Sequence, residues 1–546
     1  MTVLTAPAER LTEPPVEPTQ EIATARRPLH QVMPSSGLRG WLGPLLVTVV
    51  AGLLRFVNLG RPDALSFDET YYVKDALALL QSGYEREAIE KANDLILAMD
   101  GRWDHLDIFK DKASFVVHPP LGKWAIAVGE WAFGVTPFGW RFMMAVLGTL
   151  SVLMLARIIR RLTRSDLIGT VAGLLLALDG LHIVMSRTAL LDTTLMFLVL
   201  AAFGLLLIDR DRVRRRIDEQ RADAEPSEQT DHLNLPPAPA RPAAFGPRLG
   251  LRPWRIAAGV ALGLACGVKW SGLWFLAFFG ILTVVWDLDL RRRLRVRHPW
   301  LGVAVRDALP ALVSIVGVGI VAYLVTWTGW FLTTGGYDRQ WAASNPGTAL
   351  LPDAMRSLIE YHRAAWRFHV GLNSPHSYRS SAWSWPAMTR PTSFYYQSEK
   401  DGLTCGADRC AAEVLALGNP IIWWAGLLAL GHNAWRAVAG RDWRSGALLV
   451  AYLAGWLPWM VYHNRTIFTF YAIVMVPFLA GMLAISLARL AGGPDDSQAR
   501  RQWGLMFAGA FLLVVIAATW FFLPIWTGQV MPWEDWHMRM WWPTWV

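Results

Sequence analysis

Long apolar runs alternate with polar segments along the whole chain, at about 41–59, 138–158, 166–184, 189–208, 254–270, 271–287, 308–330, 418–435, 446–462, 466–487 and 503–524. A crossing of the hydrocarbon layer takes about 20 predominantly apolar residues. Backbone groups in lipid find no water to bond, so runs of this length must be helices. The pattern predicts an all-α polytopic membrane protein with about 11 transmembrane helices. Seven segments follow from it. Residues 1–38 form a disordered cytoplasmic N-terminus, and 39–208 hold spans one to four with an external loop at 60–137. A cytoplasmic linker at 209–252 precedes spans five to seven at 253–330. An external substrate loop at 331–417, spans eight to eleven at 418–525 and an external Trp-rich tail at 526–546 complete the chain.

The polar segments differ in character. In the first loop, residues 68–80 read as a helix with one polar and one apolar side, suited to lying along the interface. His118-Pro119-Pro120-Leu121-Gly122-Lys123 opens an apolar stretch, 124–133, too short to span; proline fits a first helical turn, so a second interfacial helix is expected there. Residues 84–112 are charged and mostly without period, as in a solvated loop. The tail from Trp533 to Trp545 suits the headgroup layer, where Trp is enriched. No internal repeat is evident.

Composition agrees with a chain dissolved in lipid: of 546 residues 53% are hydrophobic and 17% charged. The formal charge of +9 does not signal nucleic acid, because the basic residues fall in alternate loops rather than in one patch. Arg157 to Arg161, Arg212 to Arg216, Arg291 to Arg295, Arg436 to Arg444 and Arg500-Arg501 all lie on one side if the N-terminus is cytoplasmic. Arg26-Arg27 precedes the first run without a cleavage site, so that run reads as a retained anchor. This orientation puts the C-terminus, the two long loops and the chemistry outside a cell membrane. Cys405 and Cys410 then lie on the oxidising side, at a spacing that permits a disulfide, while Cys266 sits in a span.

The same side collects candidate chemistry. Ser66-Phe67-Asp68-Glu69-Thr70 places two carboxylates just beyond the first run, and Lys123, Arg187, Lys269, His376 and Arg465 fall on that face. Arg141, Asp179, Arg187 and Asp192 stand at the edges of spans, where an unpartnered charge costs at least a few kcal/mol, so each needs a partner or a ligand. One carboxylate can deprotonate an attacking hydroxyl, while cations stabilise a departing phosphate. An inverting transfer needs one such base, unlike the closely spaced pair of a retaining glycosidase. Lys and Arg around the phosphate make a metal unnecessary on charge grounds, so neither metal nor cofactor is expected.

Asp68-Glu69, His118 to Lys123, Ser186-Arg187 with Leu191-Asp192, Val268-Lys269-Trp270 and Pro375-His376-Ser377-Tyr378 together resemble the protein O-mannosyltransferase family of the GT-C superfamily, in its actinobacterial form. The likeness runs from about residue 45 to the last span. It implies a GT-C fold, a polyprenyl-phosphate mannose donor and Ser or Thr acceptors on secreted or membrane proteins, met in the membrane lipid beside the Sec translocon. It implies Asp68 as base and Glu69 as a positioning group. Lys123, Arg187, Lys269 and Arg465 become candidates for the donor phosphate, and Arg141 either joins them or holds Asp68 or Glu69. His376 and Tyr378 resemble the family's His-Pro-Tyr, with Ser377 in place of the proline. Fungal and animal relatives add a β-trefoil domain for which 331–417 is too short. Two other readings stay open: transfer of another sugar, such as aminoarabinose, to lipid or polysaccharide, and a transporter or lipid flippase.

Overall fold

In a computed structural model, residues 29–34, 37–98, 101–223, 244–347, 350–462, 464–493 and 495–546 are described. The expected N-terminal disorder, Arg26-Arg27, much of the 209–252 linker and His463 of the turn before Arg465 lie outside the described residues.

Every apolar run is helical. The first half contains α1 (Arg39–Phe56), α2 (Glu69–Ser82), β1 (Arg86–Ala88), α3 (Ala92–Ala98), β2 (Phe109–Ala113), α4 (Leu121–Phe133), α5 (Pro137–Thr163), α6 (Asp166–Ala177), α7 (Gly180–Ser186), α8 (Asp192–Asp223), α9 (Pro253–Cys266) and α10 (Gly272–Arg293). The second half adds long helices at Pro299–Thr326, Asp353–Gly371, Pro420–Val438, Trp443–Val461, Thr469–Leu490 and Gln498–Thr527. Among the described residues seven helices are long and apolar enough to cross a membrane, or eight if α6 and α7, bent by 65°, make one span. Three of the eleven expected crossings therefore fall short: α9 has 14 residues, and the 19-residue helices Pro420–Val438 and Trp443–Val461 are less apolar.

Close helix approach is written into glycines. A Cβ on Gly129 of α4 would meet the Gly139 carbonyl of α5 at 2.2 Å, and one on Gly263 of α9 would meet Gly319 O at 2.2 Å. Only hydrogen leaves room there for backbones to touch. The resulting core runs through α5 to α8 and Thr469–Leu490, the most enclosed of the spans.

Outside the bundle the chain is less purely helical than expected. In place of a solvated loop at 84–112, β1 and β2 pair antiparallel, with α3 in the connection between them. The buried apolars Ile96, Leu106 and Ile108 that hold this unit have no period, and charged neighbours mask them in the sequence. A second sheet has the order β3 (Thr392–Ser398), β4 (Cys410–Ala416), β5 (Met531–Pro532), and a disulfide joins Cys405 to Cys410 across the β3–β4 connection. The tail packs on protein: β5 pairs with β4, Trp536 Nε1 donates to Glu413 at 2.7 Å and Trp545 Nε1 to the Met388 carbonyl at 2.8 Å. Indole N–H groups give these rings a polar handle that a buried site can satisfy. Residues 209–223 are not linker but the continuation of α8, because Val213 and Ile217, one turn apart, pack on Leu249 and Leu290, and Arg214 pairs with Asp289 at 2.7 Å.

Candidate active site

The turn from α1 to α2 sets the two carboxylates to different tasks. Glu69, fully buried, accepts from Arg141 Nε and Nη2, each at 2.8 Å, from the Ser66 amide at 2.8 Å and from the Ala189 amide at 2.8 Å. All its acceptor capacity is used, and these bonds anchor the loop to Arg141 and to the Ala189 backbone. Asp68 stands at the helix cap position, yet its carboxylate makes no cap hydrogen bond. Burial raises its pKa to about 6, opposed by the charge of Lys269, assisted by Asp192 and moderated by a hydrogen bond from Tyr72.

Phe67 fixes where Asp68 points. Its φ is +50°, a left-handed conformation that costs a bulky residue of order 1–3 kcal/mol. The ring is held by Phe394, stacked at 5.1 Å, and edge-on by Phe468 and Phe470, each at 5.7 Å. Packing from two distant segments thus offsets the strain beside the Asp68 carboxylate.

Next to Asp68 lies a cleft of about 1040 Å³, its open mouth included. Its polar wall holds Lys269, Asp192, His118, His369 and Arg465, and its apolar wall includes Trp270, Trp274 and Trp459. Apolar lining with a few convergent polar groups is the usual make-up of a ligand site. Lys269 Nζ donates to Asp192 at 2.6 Å. Arg465 donates to the His369 carbonyl and to its Nδ1, both at 3.2 Å. Since arginine only donates, His369 carries its proton on Nε2 and gives it to the Val117 carbonyl at 2.9 Å. Burial, with Arg465 and Lys269 adding to it against the Val117 bond, holds His369 at about 4, so it stays neutral. Among the described residues no three His, Cys, Asp or Glu side chains converge as a metal-ion site.

The other residues singled out in the sequence divide. His376 is exposed at the rim, its ring 4.9 Å from Phe468 and 6.1 Å from Phe67, and its Nδ1 accepts from the Tyr378 amide at 3.1 Å. Tyr378 lies under Arg390. Three cations expected at a phosphate are engaged elsewhere. Arg141 is spent on Glu69 and on the carbonyls of Pro62 and Ala64, at 2.9 and 2.8 Å. Arg187 donates to the carbonyls of Arg55, Val57 and Asn58 at 2.8–2.9 Å, closing the C-terminal end of α1. Lys123 pairs with Glu85 and lies 4.0 Å from Asp75, whose carboxyl burial pushes up to about 7 against the lysine's pull. In each case the need for a partner, visible at the edge of a span, is met inside the protein. Asp179 meets it likewise, accepting from His182 N at 2.9 Å and Trp423 Nε1 at 2.8 Å. Trp459 and His369 were not singled out beforehand, and Trp270 entered only as a member of the Val268-Lys269-Trp270 motif.

Residues 45–215 match the family described as dolichyl-phosphate-mannose-protein mannosyltransferase. Residues 354–545 match the C-terminal four TMM region of protein-O-mannosyltransferase. The chain is 38% identical over 524 residues to a polyprenol-phosphate-mannose–protein mannosyltransferase of Mycolicibacterium smegmatis, covering 94% of each. The chain belongs to the protein O-mannosyltransferase family. A Corynebacterium glutamicum polyprenol-phosphate-mannose–protein mannosyltransferase is 32% identical over 514 residues, 92% of each chain. In fold, the chain matches the protein O-mannosyltransferase Pmt1-Pmt2 complex of Saccharomyces cerevisiae bound to the sugar donor, with a TM-score of 0.68, 15% identity and coverage of 94% of this chain and 93% of that one. The protein is thus a multi-pass glycosyltransferase of the GT-C fold.

Proposed function

We propose that this protein transfers mannose from polyprenyl-phosphate mannose to Ser or Thr hydroxyls of exported proteins, with inversion, at the outer face of the cell membrane. One observation carries the reading: a half-buried carboxylate, Asp68, that makes no helix-cap bond and accepts from Tyr72, beside a cleft whose cations are Lys269 and Arg465. Asp68 takes the proton of the acceptor hydroxyl, whose oxygen forms the new bond to the mannose anomeric carbon. The bond from that carbon to the phosphate oxygen breaks, and its electron pair leaves with the lipid phosphate. Lys269 and Arg465 stabilise that leaving charge in a water-poor cleft, where fixed cations act most strongly. Asp192 orients Lys269, and neutral His369 orients Arg465. Glu69 and Arg141 hold the loop that presents Asp68, while His376 and Tyr378 at the rim are placed to meet the acceptor chain.

The orientation, with the N-terminus cytoplasmic and the C-terminus outside, rests on the alternation of basic loops and on a disulfide suited to an oxidising compartment. The same basis supports eleven crossings, with α9, Pro420–Val438 and Trp443–Val461 tucked among longer spans. Acceptors would then be met in extended form near the Sec translocon. Membranes containing the protein, supplied in turn with several radiolabelled lipid-linked sugars and one Ser/Thr peptide, test it. Mannose should be transferred and the label lost in Asp68→Asn; transfer of another sugar in its place would overturn the reading.

A further inference from the structure

A second pocket lies one membrane thickness from the cleft. Helix α8 starts at Asp192 on the cleft and reaches Asp211 nineteen residues on, about 28 Å away at 1.5 Å per residue, against a hydrocarbon core of about 30 Å. The pocket, about 1050 Å³ with its open mouth, is lined by Arg161, Arg164, Arg212, Arg215, Asp211 and Trp254, with residues 30–33 forming one wall. That wall is fastened across α8, because the amides of Leu29 and His30 donate to Asp218 at 2.8 and 3.0 Å.

Its charges do not balance. Four arginines face one carboxylate. Arg161 Nη1 and Arg164 Nη2 share Asp211 Oδ2, each at 2.9 Å, and Arg210 stands 3.9 Å from the other oxygen. A second arm of Arg164 points at the Met33 thioether, a weak acceptor, and its buried Nε has no partner among the described residues. Arg212 lies 4.7 Å over the Trp254 ring, and among the described residues Arg215 has only an exposed pairing with Glu219 at 3.5 Å. Donors of this kind, clustered beside Trp254, Ile208 and Val32, fit an anionic group at the lipid boundary.

We propose that this pocket binds the headgroup of an anionic phospholipid in the leaflet opposite the cleft. The phosphodiester sits between Arg164 and Arg212, and the acyl chains leave along Ile208 and Trp254. Charge at a membrane surface attracts basic groups in this way, and basic pockets between spans take such headgroups. This rests on the membrane reading and is independent of the chemistry proposed for Asp68.

The test uses the full chain in nanodiscs of phosphatidylcholine with and without phosphatidylglycerol, reading retained lipid by native mass spectrometry after extraction. Phosphatidylglycerol should be retained over phosphatidylcholine, and Arg164→Gln and Arg212→Gln should each weaken retention by about fivefold. Asp211→Asn, which removes the competing carboxylate, should strengthen it, a direction that a merely structural role would not produce. Should Arg164→Gln melt early without lipid, Arg212→Gln gives the reading, since among the described residues no carboxylate pairs with Arg212. Equal retention of both lipids, or retention unmoved by these substitutions in folded protein, overturns the proposal. Full displacement of the lipid by inorganic phosphate would do the same, and would mark a free-phosphate site.

Discussion

Lys269 Nζ stands 2.6 Å from the Asp192 carboxylate, tying the turn before α10 to the first residue of α8 at the wall of the cleft. Removing one partner of a buried pair strands the other charge, at a cost of about 3–5 kcal/mol. Lys269→Ala should therefore lower the melting temperature as well as donor use. The pair Lys269→Met with Asp192→Asn should recover most of the stability and none of the activity. A double-mutant cycle read by thermal melting and by mannosyl transfer separates these roles; recovery of activity in the double variant would remove Lys269 from the phosphate.

Asp68 predicts the pH dependence. As base it must be ionised, and burial raises its pKa to about 6. Transfer should rise through pH 6 to a plateau, with about a tenth of the plateau rate one unit below the pKa. The stability effect has the opposite sense. A raised carboxyl pKa means that the folded protein binds more protons than the unfolded chain between 3.8 and about 6, so this group's contribution falls as pH rises through that window. Asp68→Asn should hold or raise the melting temperature at neutral pH while lowering the transfer rate by about 10²–10⁴-fold. An acid limb that persists unchanged in a still active Asp68→Asn protein would assign the base elsewhere.

Glu69 and Arg141 form a planar two-bond pair whose remaining donors reach the α1–α2 loop. Lysine has no such fork. Arg141→Lys is therefore expected to destabilise nearly as much as Arg141→Ala, by about 3–5 kcal/mol, and to reduce transfer in proportion to the folded fraction. Normal stability with lost donor affinity would return Arg141 to the phosphate.

The bundle was legible because a span announces itself: twenty apolar residues admit few other fates in lipid, and every such run is a helix. The Asp68-Glu69 pair was legible as chemistry, but its division of labour was not. Which carboxylate is free depends on the Ala189 amide and the Arg141 fork, both over 70 residues away in sequence. Cations at span edges look alike along the chain, since a guanidinium that closes a helix and one that awaits a phosphate sit at similar depths. The sheet that receives β5 was hidden for a related reason: β5 has two residues and comes from the far end of the chain.

Arg187 and Arg465 show how substitution can tell such cations apart. Arg187 gives its donors to the carbonyls that end α1, where a cation also meets the negative end of the helix dipole. Arg187→Ala should cost stability, at about 1.5–3 kcal/mol for bonds of this charged kind, with the donor KM of the remaining folded enzyme unchanged. Arg465 is partly exposed in the cleft and its bonds inside the protein are to His369. Arg465→Gln should melt close to the parent yet raise the donor KM by about 10–100-fold, the equivalent of one or two charge-assisted bonds to phosphate. Steady-state transfer at varied donor concentration, beside a melting curve for each protein, decides it. A donor KM that moves with Arg187 and not with Arg465 would exchange the two assignments.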